Sequence, residues 1–423
     1  MDIEVYGDAF TLKLAGRSMT FLFSPPAIQH FFSAPDAEIA FRPAIQPFTQ
    51  RVFGLPSDRF FPKHSAMLAA LRGLLAPDSL RSRLQPVAAA MQKRLHALWG
   101  DCGEVGLLEA VKEVLFAPTV QALFGAEFCS RHGPAALADA FFKFESGFEL
   151  AASPLPHILQ RSFSASRARL LASFRASLAA GDFEGELIGD LIRQSEIEAD
   201  LAPNAMLAVL WAALSNSVPA AFWSTAFLLL PQHCSHLDAV LKTLPPALPA
   251  GATSAETCEY LESLVQVALD RRGPLAATVA EAVRLRSPGV DLRMAACDTC
   301  MPMDDGRQLS IKKACNLSQR CIRITQSGQL LAVSPYESHL DERLFGSRAF
   351  DYNPCRGDLA AVTGVAGIGG VAGFAFGGGR YRCPGRFFAE AEIALVVALL
   401  LSRYSLTLST RAQETGRRAL AEE

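Results

Sequence analysis

The sequence predicts a mainly α-helical protein with a minor β region. Apolar residues recur at helical spacing from Leu84 to Arg193, and the breaks between segments fall at glycine and proline. Short strand-like stretches occur near the N-terminus and again in the last third of the chain. The chain has 423 residues, 50% of them hydrophobic, so it can bury a large core. We expect a single domain over residues 1–423.

The elements follow in order. Asp8–Leu14 and Met19–Phe23 alternate apolar and polar residues around a glycine turn, which predicts a hairpin. Pro25 and Pro26 open a short helix. Residues 41–59 are predicted to be irregular because prolines and glycine interrupt them. Two more strands are expected at Gln308–Ile311 and Leu330–Val333.

The stretch from Ala202 to Leu230 predicts a long helix that is buried on most sides, since it is apolar nearly all round. Pro219 lies inside it. Proline removes one backbone hydrogen bond and clashes one turn back, so we expect a kink or an opened turn there.

Charge and cysteine content limit the function. The 40 Lys and Arg residues nearly balance the 42 Asp and Glu residues, giving a formal net charge of -2 and no reason to expect a nucleic-acid partner. The ten cysteines form no regular framework, which fits a reducing compartment. Cys297 and Cys300 form a lone Cys-x-x-Cys, and we favour ordinary thiols over a metal site there.

No stretch is expected to reach the roughly 18 to 20 apolar residues of a membrane span. The best run, Ile393–Leu401, is about half that length and predicts a core helix. We therefore expect no transmembrane segment in this chain and a location in the cytoplasm or on the cytosolic face of a membrane.

The segment from Phe374 to Ala389 is the strongest functional signal. It contains an aromatic residue, a run of glycines, Cys383, a following Gly385 and then an apolar helical stretch. Glycines let a backbone turn tightly and approach a planar ring. Loop amides and a helix N-terminus favour a thiolate, which is a soft ligand for iron. The pattern predicts that Cys383 presents its sulfur to a flat cofactor.

This segment resembles the haem-binding signature of the cytochrome P450 superfamily, Phe-x-x-Gly-x-x-x-Cys-x-Gly, at Phe376, Gly379, Cys383 and Gly385. The resemblance implies the cytochrome P450 fold, a haem b cofactor and Cys383 as the iron ligand. It also implies that Phe376 and Gly377 lie close to the haem. Eukaryotic members of the family usually carry an N-terminal anchor. We expect no such anchor in this chain, either because the native protein is short or because the anchor was removed.

The same resemblance implies three residues that hold the haem propionates. Arg72 matches the arginine of the family's Trp-x-x-x-Arg, with Leu68 in place of the tryptophan. Arg293 is expected to point from a strand to the second propionate, the alternative being an exposed strand arginine. Tyr381 stands where the family usually has Arg or His, and its hydroxyl could donate instead. Lys63 and His64 are weaker candidates.

In the family, the helix over the distal haem face usually carries an acid and a threonine that deliver protons. Here Val218 and Pro219 occupy those positions. Asn216 followed by Pro219 resembles the branch with cholesterol 7α-hydroxylase, sterol 12α-hydroxylase and prostacyclin synthase. Asn216 is thus a candidate catalytic residue alongside Cys383. The alternative is that Asn216 only satisfies the backbone opened by Pro219.

Glu281 and Arg284 lie three apart on a predicted helix and can pair. They match the family's structural pair, which holds a meander before the cysteine loop. The arginine that this meander usually supplies is missing, and Arg348 or Arg356 is expected to substitute. His339 is expected to be a structural hydrogen bonder and not a metal ligand.

Three functions remain open at this point. The first is a monooxygenase that oxidises a sterol-, terpenoid- or fatty-acid-like molecule with O2 and two electrons from a reductase or ferredoxin. The second is an isomerase or lyase that rearranges a lipid peroxide without external electrons. The third is a haem-binding sensor without turnover. A peripheral membrane contact is compatible with each of them.

Overall fold

The computed structural model describes residues 7–14, 17–98, 103–153, 155–249, 251–312, 329–356 and 374–409. In these ranges the protein is mainly α-helical with two small sheets, which confirms the predicted fold class. The chain divides into two compact units, one of residues 1–50 and 283–383 and the other of residues 51–282 and 384–423. Whether the two form one domain stays a prediction.

The described strands all belong to the first unit. In chain order they are β1 (Ala9–Leu14), β2 (Arg17–Leu22), β3 (Ile39–Ala40), β4 (Asp291–Ala295), β5 (Thr299–Pro302), β6 (Gln308–Ile311) and β7 (Leu330–Val333). One sheet has the order β1-β2-β7-β4-β3, and β5 pairs with β6 in a second sheet. The pairs are antiparallel except β2 with β7, where Met19 lies opposite Leu330. The predicted hairpin and both later strands are confirmed.

The described α-helices are numbered along the chain. They are α1 (Pro25–Ser33), α2 (Arg42–Phe48), α3 (Ser57–Leu74), α4 (Pro77–Leu98), α5 (Leu107–Phe124), α6 (Ala126–His132), α7 (Pro134–Ser146), α8 (Phe148–Ala152), α9 (Arg161–Ala180), α10 (Leu187–Gln194), α11 (Ala202–Leu214), α12 (Ser217–Leu229), α13 (Cys234–Leu241), α14 (Ser254–Leu269), α15 (Pro274–Leu285), α16 (Pro335–His339), α17 (Glu342–Phe345) and α18 (Arg386–Arg403).

Residues 41–59 are more regular than the sequence predicts. They contain α2 and a π-helical turn over Thr49–Phe53. Pro43 does not prevent α2, because it lies in the first turn of the helix, where its missing N–H has no intrahelical partner to lose.

The core of the first unit lies between α1 and the strands. Phe31 and Ile28 of α1 are fully buried there with Leu331 of β7 and Phe374, which precedes the cysteine loop. This apolar cluster fixes the end of α1 against the loop that carries Cys383.

The second unit is helical throughout its described part, and α18 lies at its centre. Residues 391–401 of α18 are buried on every side. The helix packs against α4, α5, α12 and α14. The predicted core helix at Ile393–Leu401 is therefore confirmed, and it follows directly on the cysteine loop.

The predicted interruption of the long apolar helix is also confirmed. The helix ends at Leu214 and restarts at Ser217, so the turn around Ser215 and Asn216 is opened. Pro219 has no backbone N–H, so the carbonyl of Ser215, four residues earlier, receives no helical hydrogen bond from it.

The stretch Ala202–Leu229 has 28 residues, and its most apolar 18-residue window has a mean hydropathy of 1.5, enough by length and composition to cross a membrane. This corrects the expectation that no stretch reaches that length. Half of that window is buried inside the protein. The buried core helix of a globular protein can have the same length and hydropathy.

Candidate functional site

The loop around Cys383 is folded back on itself. The Cys383 amide donates a hydrogen bond to the Phe376 carbonyl at 2.8 Å. Gly377 and Gly379 have φ of +71° and +60°, in the left-handed region that favours glycine. A short 3₁₀ turn over Gly379–Tyr381 lies between them and the half-buried Cys383. The loop therefore sets the direction of the Cys383 side chain through its backbone.

Two of the glycines make a close approach to Phe32 of α1. A Cβ on Gly378 would lie 2.4 Å from the Phe32 ring, and a Cβ on Gly379 would lie 2.2 Å from the Phe32 carbonyl oxygen. A Cβ on Gly377 would meet Asp291 at 3.6 Å, an ordinary contact. In the described residues the glycine run thus serves to seat the loop on α1. Its approach to a planar cofactor stays a prediction.

Arg293 is buried beside this loop. It lies on β4, is 2% exposed and places its guanidinium 5.1 Å from the Phe31 ring and 5.2 Å from the Tyr381 ring. Its Nη1 is buried and has no hydrogen-bond partner among the described residues. Burial lowers the pKa of Arg293, because the charged form loses its hydration. The alternative of an exposed strand arginine is wrong.

A carboxylate lies close by. Burial raises the pKa of Asp291 to about 6, and the nearby Arg293 opposes that rise. The orphaned Nη1 is a donor that an anion would satisfy, and leaving a buried donor unsatisfied is costly. These residues therefore fit a carboxylate-bearing group such as a haem propionate, the role that the sequence predicts for Arg293.

The Tyr381 hydroxyl has a protein partner. It donates to Asp36 Oδ2 at 2.6 Å, and its ring stacks on Phe41 at 4.1 Å. Arg380 Nη1 reaches the same oxygen at 3.3 Å. Burial, with the hydrogen bond to Asp36, raises the pKa of Tyr381, so the hydroxyl keeps its proton. The proposed donation to a propionate stays a prediction and would require this proton to leave Asp36.

The meander before the loop is organised by Arg284. Its Nη1 donates to the carbonyls of His339 at 2.6 Å and Ala349 at 2.7 Å, and its Nη2 to that of Asp351 at 3.2 Å. Arg356 Nη2 donates to the same Asp351 carbonyl at 2.7 Å. Of the two candidate substitutes, Arg356 therefore binds the same part of the meander as Arg284. Arg348 instead pairs with the Asp351 side chain at 2.6 Å.

The remaining predicted site residues belong to the second unit. Arg72 lies in the last turn of α3 with an exposed side chain. Asn216 is exposed in the opened turn between α11 and α12, and its side chain makes no capping hydrogen bond. Asn216 therefore does not satisfy the backbone opened by Pro219, as the alternative required. Gly385 caps α18, and its Cβ would lie 3.6 Å from Leu75.

The weaker propionate candidates have other surroundings. Lys63 pairs with Glu196 at 2.9 Å. His64 packs near the rings of Phe60 and Phe61, and burial lowers the pKa of its imidazole. Cys297 and Cys300 are free thiols in the structure.

Sequence reasoning missed Glu392 and Thr119. Glu392 is fully buried in α18, and the Thr119 Oγ1 lies 2.6 Å from its Oε1 and 2.7 Å from the Leu115 carbonyl. The hydroxyl has one proton for these two acceptors, so a protonated Glu392 supplies the second. Burial raises the pKa of Glu392 to about 8. A single acid inside the apolar run of residues 391–401 was the available signal.

Fold and loop together define a class of protein. A mainly helical chain presents one cysteine just before a buried apolar helix, beside a buried arginine with an unsatisfied donor. This is the arrangement of haem-binding oxidoreductases with a cysteine ligand.

Comparison with known proteins gives one family match and several relatives. The family model for cytochrome P450 matches residues 322–418. The 24-hydroxycholesterol 7-alpha-hydroxylase of Mus musculus is 27% identical over 95% of this chain and 80% of its own length. Human prostacyclin synthase is 26% identical over 96% and 82%, and human 7-alpha-hydroxycholest-4-en-3-one 12-alpha-hydroxylase is 23% identical over 95% and 80%.

Residues 322–418 match the cytochrome P450 family, and nearly the whole chain is similar to enzymes that include two hydroxylases, which supports an oxidoreductase of the monooxygenase type. These relatives come from the branch that the sequence predicted from Asn216 and Pro219. The third expectation, a haem-binding sensor without turnover, is set aside, because the matched relatives are named as enzymes.

Proposed function

We propose that this protein binds haem b through Cys383 and oxidises a lipophilic molecule of sterol-, terpenoid- or fatty-acid-like structure. The observation that supports this most directly is the cysteine loop of the first unit, with the orphaned donor of Arg293 beside it. When bound, the haem supplies the redox chemistry with O2 and two electrons from a reductase or ferredoxin.

The protein's own residues bind and orient the cofactor. Cys383 would ligate the iron through its thiolate. Arg293 would bind a propionate, with Tyr381 as a further donor if it leaves Asp36, and Arg72 is the second arginine that the sequence predicts for this role. Phe376, Gly377 and Gly385 are the further residues that would hold the cofactor.

Lipid as the substrate class rests on the relatives. Hydroxylases named for cholesterol derivatives and a synthase named for prostacyclin are similar over nearly the whole chain. A lipid substrate also fits a surface that contacts membranes. Leu150, Leu155, Ile158 and Leu159 are 51%, 47%, 79% and 72% exposed within one short segment. We propose that this segment contacts a membrane peripherally, on the cytosolic face.

A second function is favoured by the opened turn. The usual acid and threonine are replaced by Val218 and Pro219, while the Asn216 amide is exposed and makes no capping bond. Such an amide can bind a peroxide oxygen, which supports an isomerase or lyase that rearranges a lipid peroxide. Mixing the holoprotein with a fatty-acid hydroperoxide without reductant separates the two. Rapid rearrangement supports the isomerase, and turnover that requires reductase and O2 supports the monooxygenase.

The cofactor assignment is tested with Cys383→Ser. We expect this variant to lose the thiolate-type absorption spectrum of the reduced carbon monoxide complex. Cys300→Ser removes an exposed thiol of the same unit and should leave that spectrum unchanged. If Cys383→Ser gave the wild-type spectrum, the thiolate assignment would be wrong.

A further inference from the structure

Arg167 on α9 is a half-buried cation without a counter-ion. Its Nε is buried and has no hydrogen-bond partner, and no carboxylate lies within ion-pair distance of it among the residues that the structure describes. Burial lowers the pKa of Arg167, and the charged neighbour that adds to this effect is another cation, Arg175. A buried guanidinium in this state favours an anionic ligand.

The surroundings of Arg167 form a cradle. A Cβ on Gly54 would lie 2.2 Å from Arg167 Nη2 and 2.9 Å from Asn204 Nδ2, so both amino groups occupy the space above this glycine. Gly54 has φ of +71°, which a side chain rarely adopts. Asn204 is fixed by a buried hydrogen bond from Nδ2 to the Phe53 carbonyl at 2.6 Å. Any residue other than glycine at position 54 would displace the guanidinium.

Further positive potential converges on the same place. Asn204 lies in the first turn of α11, a helix of 13 residues, whose N-terminal end carries partial positive charge. Nε and Nη2 of Arg167 lie on one edge of the guanidinium, the edge that can take both oxygens of a carboxylate. The donors therefore match a planar oxyanion better than a hydroxyl.

Aromatic side chains pack near the same stretch of α11. The Phe53 ring lies 5.6 Å from that of Trp211, and Trp211 stacks on Phe148 at 4.2 Å. Asn204 and Trp211 are seven residues apart on α11 and so share a face. From Asn204 to the end of α11 at Leu214 the helix spans about 15 Å, and Asn216 follows there. That span is comparable with the length of a long-chain fatty acid or a sterol.

We infer that Arg167, Gly54 and Asn204 form a subsite for the carboxylate of an acidic lipid substrate. This rests on the proposed lipid oxidation and specifies its substrate class. The carboxylate binds Arg167 and Asn204, the apolar body lies along Phe53 and Trp211, and the far end reaches the opened turn at Asn216.

The experiment uses the haem-loaded protein and matched ligands, tetradecanoate and tetradecanol, with binding measured by calorimetry at pH 7.5 below the aggregation limit. Wild type should bind the acid about tenfold more tightly than the alcohol, because the carboxylate can form a charge-assisted hydrogen bond with Arg167 that a hydroxyl cannot. Arg167→Gln should lose about tenfold for the acid and less than twofold for the alcohol, and Arg167→Lys should recover part of the loss. Arg169→Gln removes a charge that is 63% exposed on the same helix and should behave as wild type.

Equal affinity of wild type for acid and alcohol would overturn the subsite but not the proposed function, provided either lipid is oxidised. Equal loss of both ligands in Arg167→Gln would show that Arg167 only supports the fold and would also overturn it. A third arm compares vesicles of phosphatidylcholine with vesicles containing phosphatidylglycerol. If Arg167→Gln weakens binding to the anionic vesicles alone, the guanidinium serves a membrane headgroup and not a substrate. Absence of both binding and oxidation would contradict the subsite and the proposed function together.

Discussion

Arg284 and His339 hold each other by reciprocal hydrogen bonds. Arg284 Nη1 donates to the His339 carbonyl at 2.6 Å, and His339 Nδ1–H donates to the Arg284 carbonyl at 3.2 Å. Both side chains are fully buried. Burial lowers the pKa of His339 to about 3, so the imidazole is neutral and does not repel the guanidinium. This pair ties the end of α15 to the meander that precedes the cysteine loop.

Replacing Arg284 with Gln should destabilise the protein by roughly 3 kcal/mol or more, because three buried carbonyls lose a charged donor. The measurement is thermal unfolding of the haem-loaded protein. Arg348→Gln is the control, since Arg348 is 77% exposed and its pair with Asp351 should contribute under about 1 kcal/mol. Similar melting temperatures for the two variants would contradict the role of Arg284 in holding the meander.

Gly379→Ala should lower the free energy of unfolding by about 2 kcal/mol or more. Its Cβ would collide with the Phe32 carbonyl, and alanine rarely adopts the φ of +60° found there. Gly378→Ala should cost less, because its neighbour is the Phe32 ring, a side chain that can move. Gly289→Ala is a matched control in the same unit with nothing within 4 Å of its Cβ. Chemical unfolding ranks the three variants. A smaller loss for Gly379→Ala than for Gly378→Ala would argue against the fixed seating of the loop on α1.

Arg293→Gln should speed haem dissociation about tenfold, since a buried charge-assisted hydrogen bond to a propionate is lost. The rate is followed by transfer of haem to an excess of a high-affinity acceptor protein. Arg293→Lys keeps the charge but not the paired donors of the guanidinium, so its rate of haem dissociation should lie between those of wild type and Arg293→Gln. Arg380→Gln, at a side chain that is 51% exposed, should change the rate little. Unchanged dissociation in Arg293→Gln would rule out the propionate contact.

Glu392 should make stability fall as pH rises. The folded protein keeps this carboxyl protonated up to a pKa of about 8, whereas the unfolded chain releases the proton near its ordinary value of 4.5. The native state therefore holds the extra proton between these values, and stability is lost across that window by at most about 1.4 kcal/mol per pH unit. Glu392→Gln keeps a neutral hydrogen-bonding group without this titration.

The measurement is the melting temperature of wild type and Glu392→Gln from pH 6 to pH 9. The melting temperature of the variant should rise relative to that of the wild type as the pH increases toward 8. Parallel pH profiles would mean that Glu392 is not the buried acid that titrates in this range. Thr119→Val is the complementary variant, because it removes the hydroxyl partner and leaves the carboxyl unpaired.

Local patterns explain what could be predicted. The strands, the core helix after Cys383 and the opening of the helix before Pro219 each depend on residues within a few positions of one another. Hydrophobic periodicity, proline geometry and glycine punctuation act at that range, so they can be read directly. The prediction of no membrane-length apolar stretch failed, because the mean hydropathy within residues 202–229 stays high although serine, asparagine and proline interrupt the apolar run.

Distant partners could not be predicted in the same way. The Tyr381 hydroxyl binds Asp36, which is 345 residues away, and Phe32 lies against Gly378. Arg167 lies over Gly54, and Thr119 meets Glu392. Each pair requires that two segments far apart in the chain pack at a defined distance, and no local pattern encodes that distance.

The amino-acid sequence by itself determined the mainly helical class, the positions of the strands and the loop that presents Cys383, because backbone preference and hydrophobic period are local properties. Only the tertiary structure decided that Arg293 is a buried cation with an orphaned donor, that Glu392 keeps its proton and that Arg167 lacks a counter-ion. Burial and the identity of the neighbours set the charge state of a side chain, and both exist only once the chain has folded.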